Sequence, residues 1–151
     1  MYQFGIVMPV QFFFNETRIS LKNRRALKSF IVKVFIEKKK ELTSLNYIFC
    51  TDPFLLEINQ HFLNHDHYTD IISFDLSGKK ESIEGEVYIS TDRLKENAKL
   101  NKVPVKEELH RLIFHGVLHL CGYNDKSTSD KRKMTKEEDR LLQDYFSLRS
   151  T

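Results

Sequence analysis

Apolar residues recur along this chain either at every second position or at every third and fourth position. The places where the spacing changes predict the boundaries of its strands and helices. Alternating, β-branched or aromatic runs favour strands, whereas apolar residues three and four apart favour helices. These runs predict four strands, over 10–17 with its end at Asn15, over 45–51, over 70–76 and over 84–90. The segment SGKKESI separates the last two strands, and its turn-forming residues indicate a hairpin.

Five helices are predicted around these strands. They cover about 21–39, 53–63, 91–101, 104–121 and 128–148. The expected caps or first residues are Ser20, Asp52 followed by Pro53, Ser90 or Thr91, and Pro104. Gly122 is expected to end the fourth helix in a left-handed conformation.

The order strand, helix, strand, helix, hairpin, helices predicts an α+β fold. Neither an internal repeat nor a Pro/Gly-rich linker interrupts the 151 residues. We therefore predict a single domain over 1–151, which is long enough to bury its own core. In this domain a small mixed four-stranded sheet is packed by about five helices, with the fourth helix at the centre.

The fourth helix carries the most informative pattern. It is apolar on almost every side from Leu109 to Cys121, and a helix of this kind is normally central and buried. His115 and His119 are four residues apart and share one face. A buried polar group without a partner costs about 1–3 kcal/mol. The two residues are therefore either satisfied core histidines or half of a metal site.

The residues after this helix offer a third ligand. Gly122 can reverse the chain, which would bring Asp125 back toward the two histidines. Two imidazoles and a carboxylate are a familiar ligand set for zinc, with the fourth position left for water. A bound divalent ion lowers the pKa of that water toward about 7. The alternative is that Asn124 and Asp125 form a plain solvated turn.

The charge of the chain is unevenly distributed. The formal net charge is only +3, but nine Lys and Arg residues lie between Arg18 and Lys40 against one acid, Glu37. Such a concentration is either a contact for a phosphate backbone or a well-solvated helix face.

Cysteine usage and hydropathy indicate the compartment. Cys50 and Cys121 lie in unrelated contexts, which excludes a disulfide framework and suits a reducing environment. No apolar run approaches the ~18 residues that span a bilayer, and the first residues lack the pattern of a signal peptide. We therefore expect a cytoplasmic protein that does not enter a membrane.

Three runs of residues resemble one known family. The run HGVLHLCGY, from His115 to Tyr123, resembles the signature H-G-x-L-H-L-x-G-Y-D-H of the YbeY family, bacterial metal-dependent endoribonucleases that act in ribosomal RNA maturation. TDIISF (69–74) and GEVYIS (85–90) resemble two strand motifs of that family. In order and spacing the likeness covers about residues 45–148.

The resemblance implies a function and a metal site. It implies a zinc-dependent endoribonuclease with ribosomal RNA or the ribosome as its partner and no DNA. Because a stiff duplex does not bring its scissile phosphate to a recessed metal, we expect single-stranded RNA as the substrate. In the family three histidines bind zinc; the first two correspond to His115 and His119, and the third falls on Asp125. Since aspartate also ligates zinc, we expect one zinc or another divalent ion on these three residues.

Other parts of the site depart from the family or stay unassigned. The family's functional arginine falls on Leu63, so another group has to replace it or activity is weaker. Three histidines near that position, His61, His65 and His67, either replace it or simply belong to a mobile polar segment. Glu86 and Asp75 lie near the expected site, but no general base is assigned. The basic segment 18–40, with Lys79 and Lys80, is the candidate contact for RNA or the ribosome.

Two other functions are alternatives to this one. A zinc protease of the H-E-x-x-H type would need a glutamate where Gly116 stands, and that glutamate activates the water. A non-catalytic ribosome-assembly factor that binds RNA, with a structural metal or with none, is the alternative outside the enzymes.

Overall fold

Four strands and five helices make up the computed structural model, which describes residues 8–78 and 82–149. The elements are β1 (Val10–Phe14), α1 (Arg24–Glu37), β2 (Glu41–Cys50), α2 (Asp52–Leu63), β3 (Ile71–Asp75), β4 (Ser82–Ser90), α3 (Thr91–Asn101), α4 (Val105–Leu120) and α5 (Thr128–Arg149). The strands form one sheet in the order β1-β2-β4-β3. β1 and β4 run parallel to β2, and β3 runs antiparallel to β4. The predicted α+β fold with a mixed four-stranded sheet is confirmed.

Helix α4 packs against the sheet at its centre, as predicted. Tyr47 and Phe49 of β2 are fully buried, and the Tyr47 hydroxyl donates a 2.7 Å hydrogen bond to the Ile113 carbonyl of α4. A Cβ atom on Gly116 would lie 3.1 Å from both methyl groups of Val87 on β4. Glycine therefore lets α4 approach β4 closely at the helical turn that carries the histidines.

The start of α1 differs from the prediction. We expected a helix from residue 21 with Ser20 as its cap, whereas α1 begins at Arg24, after Asn23 in the left-handed conformation with φ 58°. Leu21 is buried in the core, and its carbonyl accepts a 3.1 Å hydrogen bond from Arg24 Nε. Burying a leucine contributes about 1.5–3 kcal/mol, which exceeds the few tenths per residue by which helix propensities differ. Residues 21–23 therefore remain non-helical.

The starts of β2 and α2 also differ from the prediction, because of strand pairing and helix capping. β2 begins at Glu41, four residues before its predicted start, because Glu41 pairs with Ser82 of β4. Helix α2 is capped by Thr51, whose Oγ1 accepts a 3.4 Å hydrogen bond from the Phe54 amide. Asp52, the predicted cap, is thus the first helical residue.

The predicted boundaries of the three later helices, α3 to α5, are confirmed. Ser90 caps α3 by accepting a 3.1 Å hydrogen bond from the Arg93 amide, and α4 follows Pro104 directly. Gly122 is left-handed with φ 104°, and α5 covers the predicted range. Within the described residues, no helix combines the length and the apolar character needed to cross a bilayer.

An ion-pair cluster joins α5 to the residue after α1 and to the loop after α4. Lys38 pairs with Glu137 of α5 and donates a 2.9 Å hydrogen bond to the Tyr123 hydroxyl. Arg140 Nε donates to Glu137 at 2.8 Å. Hydrogen bonds from Arg140, and then from Lys38, outweigh burial and lower the pKa of Glu137 to about 2.

We expect Glu137→Gln to lower the free energy of unfolding by about 1–2 kcal/mol at pH 7, a value that allows for solvent screening. The folded-state pKa of about 2 lies below the ordinary 4.5, so the stabilisation is complete above pH 4.5 and is lost as the pH falls toward 2. Urea unfolding of both proteins at pH 7 and pH 3 measures the difference, which should shrink by more than half at pH 3. Exposed Glu57 of α2 is the matched control, and Glu57→Gln should stay within about 0.5 kcal/mol of wild type. Equal differences for Glu137→Gln at both pH values would rule this out.

Candidate active site

A polar cleft lies along one face of α4. Its cavity volume is about 400 Å³, and α4, the start of β3 and α5 bound it. The described residues that line it are Thr69, Asp70, Ile71, Ser73, Glu108, Arg111, Leu112, His115, His119, Asp125 and Glu138. The three residues predicted as metal ligands, His115, His119 and Asp125, therefore lie in one cleft.

Glu138 of α5 orients the imidazole of His115. Glu138 Oε2 lies 2.6 Å from His115 Nδ1, so Nδ1 donates this hydrogen bond and Nε2 is left for another partner. Asp125 Oδ2 is 3.6 Å from that Nε2. Burial lowers the pKa of His115, but the hydrogen bond and charge of Glu138, with the charge of Asp125, outweigh burial and raise it. A carboxylate behind an imidazole is the arrangement that orients many metal-bound histidines.

The end of α4 brings Asp125 back to the histidines. Gly122 is left-handed, and its amide donates a 3.0 Å hydrogen bond to the His119 carbonyl, which closes the helix. The chain then reverses as the sequence predicted. The His119 ring is nearly parallel to the His115 ring, with centroids 6.5 Å apart. Burial, followed by the charge of His115, lowers the pKa of His119, which favours the neutral ring that binds metal ions.

The donor set of the cleft suits zinc in its chemistry, although its atoms do not converge on one point. Two donors on a tetrahedral zinc are about 3.3 Å apart, close to the 3.6 Å between His115 Nε2 and Asp125 Oδ2. Across residues 8–78 and 82–149, however, no three His, Cys, Asp or Glu side chains are close enough together to hold an ion. Asp125 is half exposed and has room to turn. In the described residues the pair His115–Asp125 therefore has a spacing that suits one ion, whereas a third ligand is not in place.

The chain is similar to named proteins over most of its length. The family model described as Endoribonuclease YbeY matches residues 11–146. An endoribonuclease YbeY of Cytophaga hutchinsonii is 48% identical over 87% of this chain and 92% of its own length. One of Flavobacterium psychrophilum is 46% identical over 84% of this chain and 90% of its own.

This chain belongs to the endoribonuclease YbeY family. The assignment made from the HGVLHLCGY run and the two strand motifs is confirmed, and with it the enzyme class, hydrolases that act on RNA phosphodiester bonds. The solution structure of TM1509 from Thermotoga maritima has the same fold, with a TM-score of 0.64 over 93% of this chain and 92% of that one. Its identity of 22% supports the fold alone.

Arg111 and Glu138 are cleft residues that the sequence analysis missed. Arg111 donates to Glu138 Oε1 at 3.0 Å and to Asp139 Oδ1 at 2.6 Å. Burial lowers the pKa of Arg111, but these two hydrogen bonds outweigh it. A signal for Arg111 was present, because Arg111, His115 and His119 are spaced by four and form one stripe on α4. Glu138 is 23 residues from His115, and no local pattern joins them.

Two acids line the cleft on the sides of β3 and α4, the half-buried Asp70 and the buried Glu108. Burial raises the pKa of Asp70, in spite of the 2.9 Å hydrogen bond that it accepts from Asn97 Nδ2. Burial also raises the pKa of Glu108, with the charge of Asp70 adding to the effect. Glu86 and Asp75, the sequence candidates near the expected site, are not among the described residues that line the cleft.

The position of the family's arginine lies outside the cleft. Leu63, onto which it falls, is the last residue of α2 and is exposed. The candidate replacements His61, His65 and His67 do not line the cleft in the part of the chain described. The rings of His65 and His67 stack on each other in an exposed loop, with centroids 5.3 Å apart. The guanidinium that the cleft does contain is that of Arg111.

Proposed function

We propose that this protein is a metal-dependent endoribonuclease that cuts single-stranded ribosomal RNA during its maturation and in ribosome quality control. Membership of the endoribonuclease YbeY family supports the reaction. The observation that carries the site is the line Glu138–His115–Asp125, in which one carboxylate holds the imidazole and another faces its free nitrogen. His119, one helical turn from His115, completes the proposed ligand set.

The proposed ion is one zinc per chain, or another divalent ion, on His115, His119 and Asp125. When bound, such an ion supplies an activated water and polarises a phosphodiester oxygen. Glu138 keeps His115 in the tautomer that leaves Nε2 available. Asp125 contributes a harder oxygen ligand and a negative charge where the family has a third histidine, so ions other than zinc are admitted more readily.

The cleft favours a single strand of RNA as substrate. The His115 side chain is only 18% exposed, and a stiff duplex does not bring its phosphate to a recessed group. Arg111 has five N–H donors, of which the structure shows two engaged by carboxylates. We infer that Arg111 also binds a substrate phosphate, a contact that the leucine at position 63 cannot make.

The exposed basic residues of α1 are the proposed contact with a larger RNA. Arg24, Arg25 and Lys33 are exposed, and exposed cations of this kind contact phosphates without reading sequence. The proposed substrate is ribosomal RNA, free or in the ribosome, rather than DNA. The proposed site of the reaction is the cytoplasm. Lys79 and Lys80, which were predicted to share this contact, lie outside the described residues.

A non-catalytic RNA-binding factor for ribosome assembly is the second candidate. Two observations favour it. Leucine stands at position 63, and within the described chain the candidate ligands do not converge on one point. Such a protein would bind the same RNA, with a structural metal or with none, but would not cut it.

Cleavage of ribosomal RNA under single-turnover conditions separates the two candidates. Protein purified without a His-tag and loaded with zinc should cut single-stranded segments, EDTA should slow the cut by about 100-fold or more, and added zinc should restore it. His115→Ala should be as slow as the EDTA sample and should not respond to zinc. RNA binding by the wild type without metal-dependent cutting would refute the endoribonuclease and favour the assembly factor.

A further inference from the structure

A second cavity, of about 300 Å³, opens on the other side of α4 from the active-site cleft. It lies between the non-helical segment before α1, the first turns of α4 and the end of α5. Lys22, Lys106, His110, Tyr145 and Phe146 are among the residues that line it. The volume is at the lower end of the range for ligand cavities, which suits a group the size of one nucleotide.

His110 is buried except for 3% of its surface, yet one of its ring nitrogens is open to this cavity. Nδ1 is 2.7 Å from the Lys106 carbonyl, and since a carbonyl only accepts, Nδ1 carries the proton. In the described residues, Nε2 has no hydrogen-bond partner. It is also not completely buried, because Arg93 Nε is the one side-chain nitrogen or oxygen atom there that is both completely buried and unpaired. Burial lowers the pKa of His110, so the ring is neutral at pH 7 and Nε2 presents a lone pair.

The walls of this cavity combine aromatic rings and cations. Tyr145 stacks on His110 with ring centroids 5.4 Å apart, and Phe146 meets His110 edge to face at 5.0 Å. The Lys106 ammonium lies 5.2 Å over the Phe146 ring, and Lys22 is exposed at the rim. Among the described residues that line the cavity there is no carboxylate. Aromatic rings beside cations are the combination with which proteins bind single-stranded nucleic acids.

We propose that this cavity is an accessory site for one nucleotide of the RNA substrate, with the base donating an amino hydrogen to His110 Nε2 and the phosphates contacting Lys22 and Lys106. The exocyclic amino groups of adenine and cytosine are such donors. Lys106 precedes His115 by nine residues, or about 14 Å along the helix axis, and a strand that occupied both sites would also have to cross from one face of α4 to the other. The inference rests on the proposed function in taking RNA as the ligand.

The phosphate contacts are tested by the salt dependence of RNA binding. The probe is a single strand of about eight adenosines, bound in EDTA so that it is not cut. Lys22→Gln/Lys106→Gln should weaken binding about ten-fold and make the slope of log K against log salt shallower by about 1.4, which corresponds to two single-strand phosphates. Lys95→Gln/Lys99→Gln, on the exposed face of α3, is the matched control and should bind like the wild type. A salt slope unchanged in the Lys22/Lys106 variant overturns the proposal.

The acceptor role of His110 is tested with an altered base. An oligomer of purine riboside, which lacks the amino group of adenosine, should bind the wild type about five-fold more weakly than the adenosine oligomer. His110→Phe preserves an aromatic ring and should remove this difference. Should that variant fold poorly, the wild-type comparison alone decides, because equal affinity for the two oligomers overturns the role of His110.

These outcomes are independent of the proposed cleavage. His115→Ala should lose cleavage and keep both the salt slope and the preference for adenosine, because the two sites lie on different faces of α4. A wild type that cuts RNA but shows neither effect refutes the accessory site alone. A wild type that shows both effects and cuts nothing supports the accessory site and refutes the endoribonuclease.

Discussion

His119→Ala is expected to remove the bound divalent ion and to slow RNA cleavage by about 10³-fold or more. The substitution leaves His115 and Asp125 as the proposed protein ligands, fewer than the three of a typical catalytic zinc site. Loss of the ion removes several kcal/mol of transition-state stabilisation. Elemental analysis of untagged protein should show a fall from about one equivalent per chain to below about one tenth, and single-turnover kinetics measure the rate.

Two substitutions of Asp125 serve as the matched pair for this experiment. Asp125→Ala should also lose the ion, whereas Asp125→His, which restores the histidine of the family signature, should keep it. The side chain is 49% exposed, so neither change disturbs the core, and thermal unfolding should match the wild type. One full equivalent of metal in Asp125→Ala would exclude Asp125 as a ligand and turn attention to His65 or His67.

Gly116→Glu is expected to destabilise the protein by about 3–5 kcal/mol and to yield no protease. The change creates the H-E-x-x-H sequence of zinc proteases, but Gly116 is buried, and a Cβ atom there would lie 3.1 Å from the Val87 methyl groups. The larger side chain forces α4 away from β4, and its carboxylate is buried without a partner. Urea unfolding measures the loss, and a peptide-hydrolysis assay tests for the new activity.

Gly78→Glu makes the same chemical change where the chain has room. Gly78 is exposed, and among the described residues, its chain neighbours aside, no heavy atom lies within 4 Å of a Cβ built there. Its free energy of unfolding should stay within about 0.5 kcal/mol of the wild type. Equal stabilities for the Gly116 and Gly78 variants would show that α4 does not pack tightly on β4 at Gly116.

Local patterns predicted most of the elements because each pattern depends on residues close in sequence. The Ser90 cap, the left-handed Gly122 and the stripe of His115 and His119 were all read from spacings of a few residues, and the structure contains each of them. The predicted beginning of α1 was wrong because it does not depend on residues close in sequence. Whether Leu21 joins a helix or lies in the core depends on distant strands and helices that no local window contains.

By itself, the sequence determined the α+β order of elements, the family, and the helix face on which two histidines point into one cleft with Asp125. Only the tertiary structure decided that Glu138 lies behind His115, and that His110 opens into a separate cavity. The physical reason is that these features depend on α5 packing across α4. Their distances are set by side chains that meet in the core from segments far apart in sequence, whereas helices, caps and turns are set by neighbours along the chain.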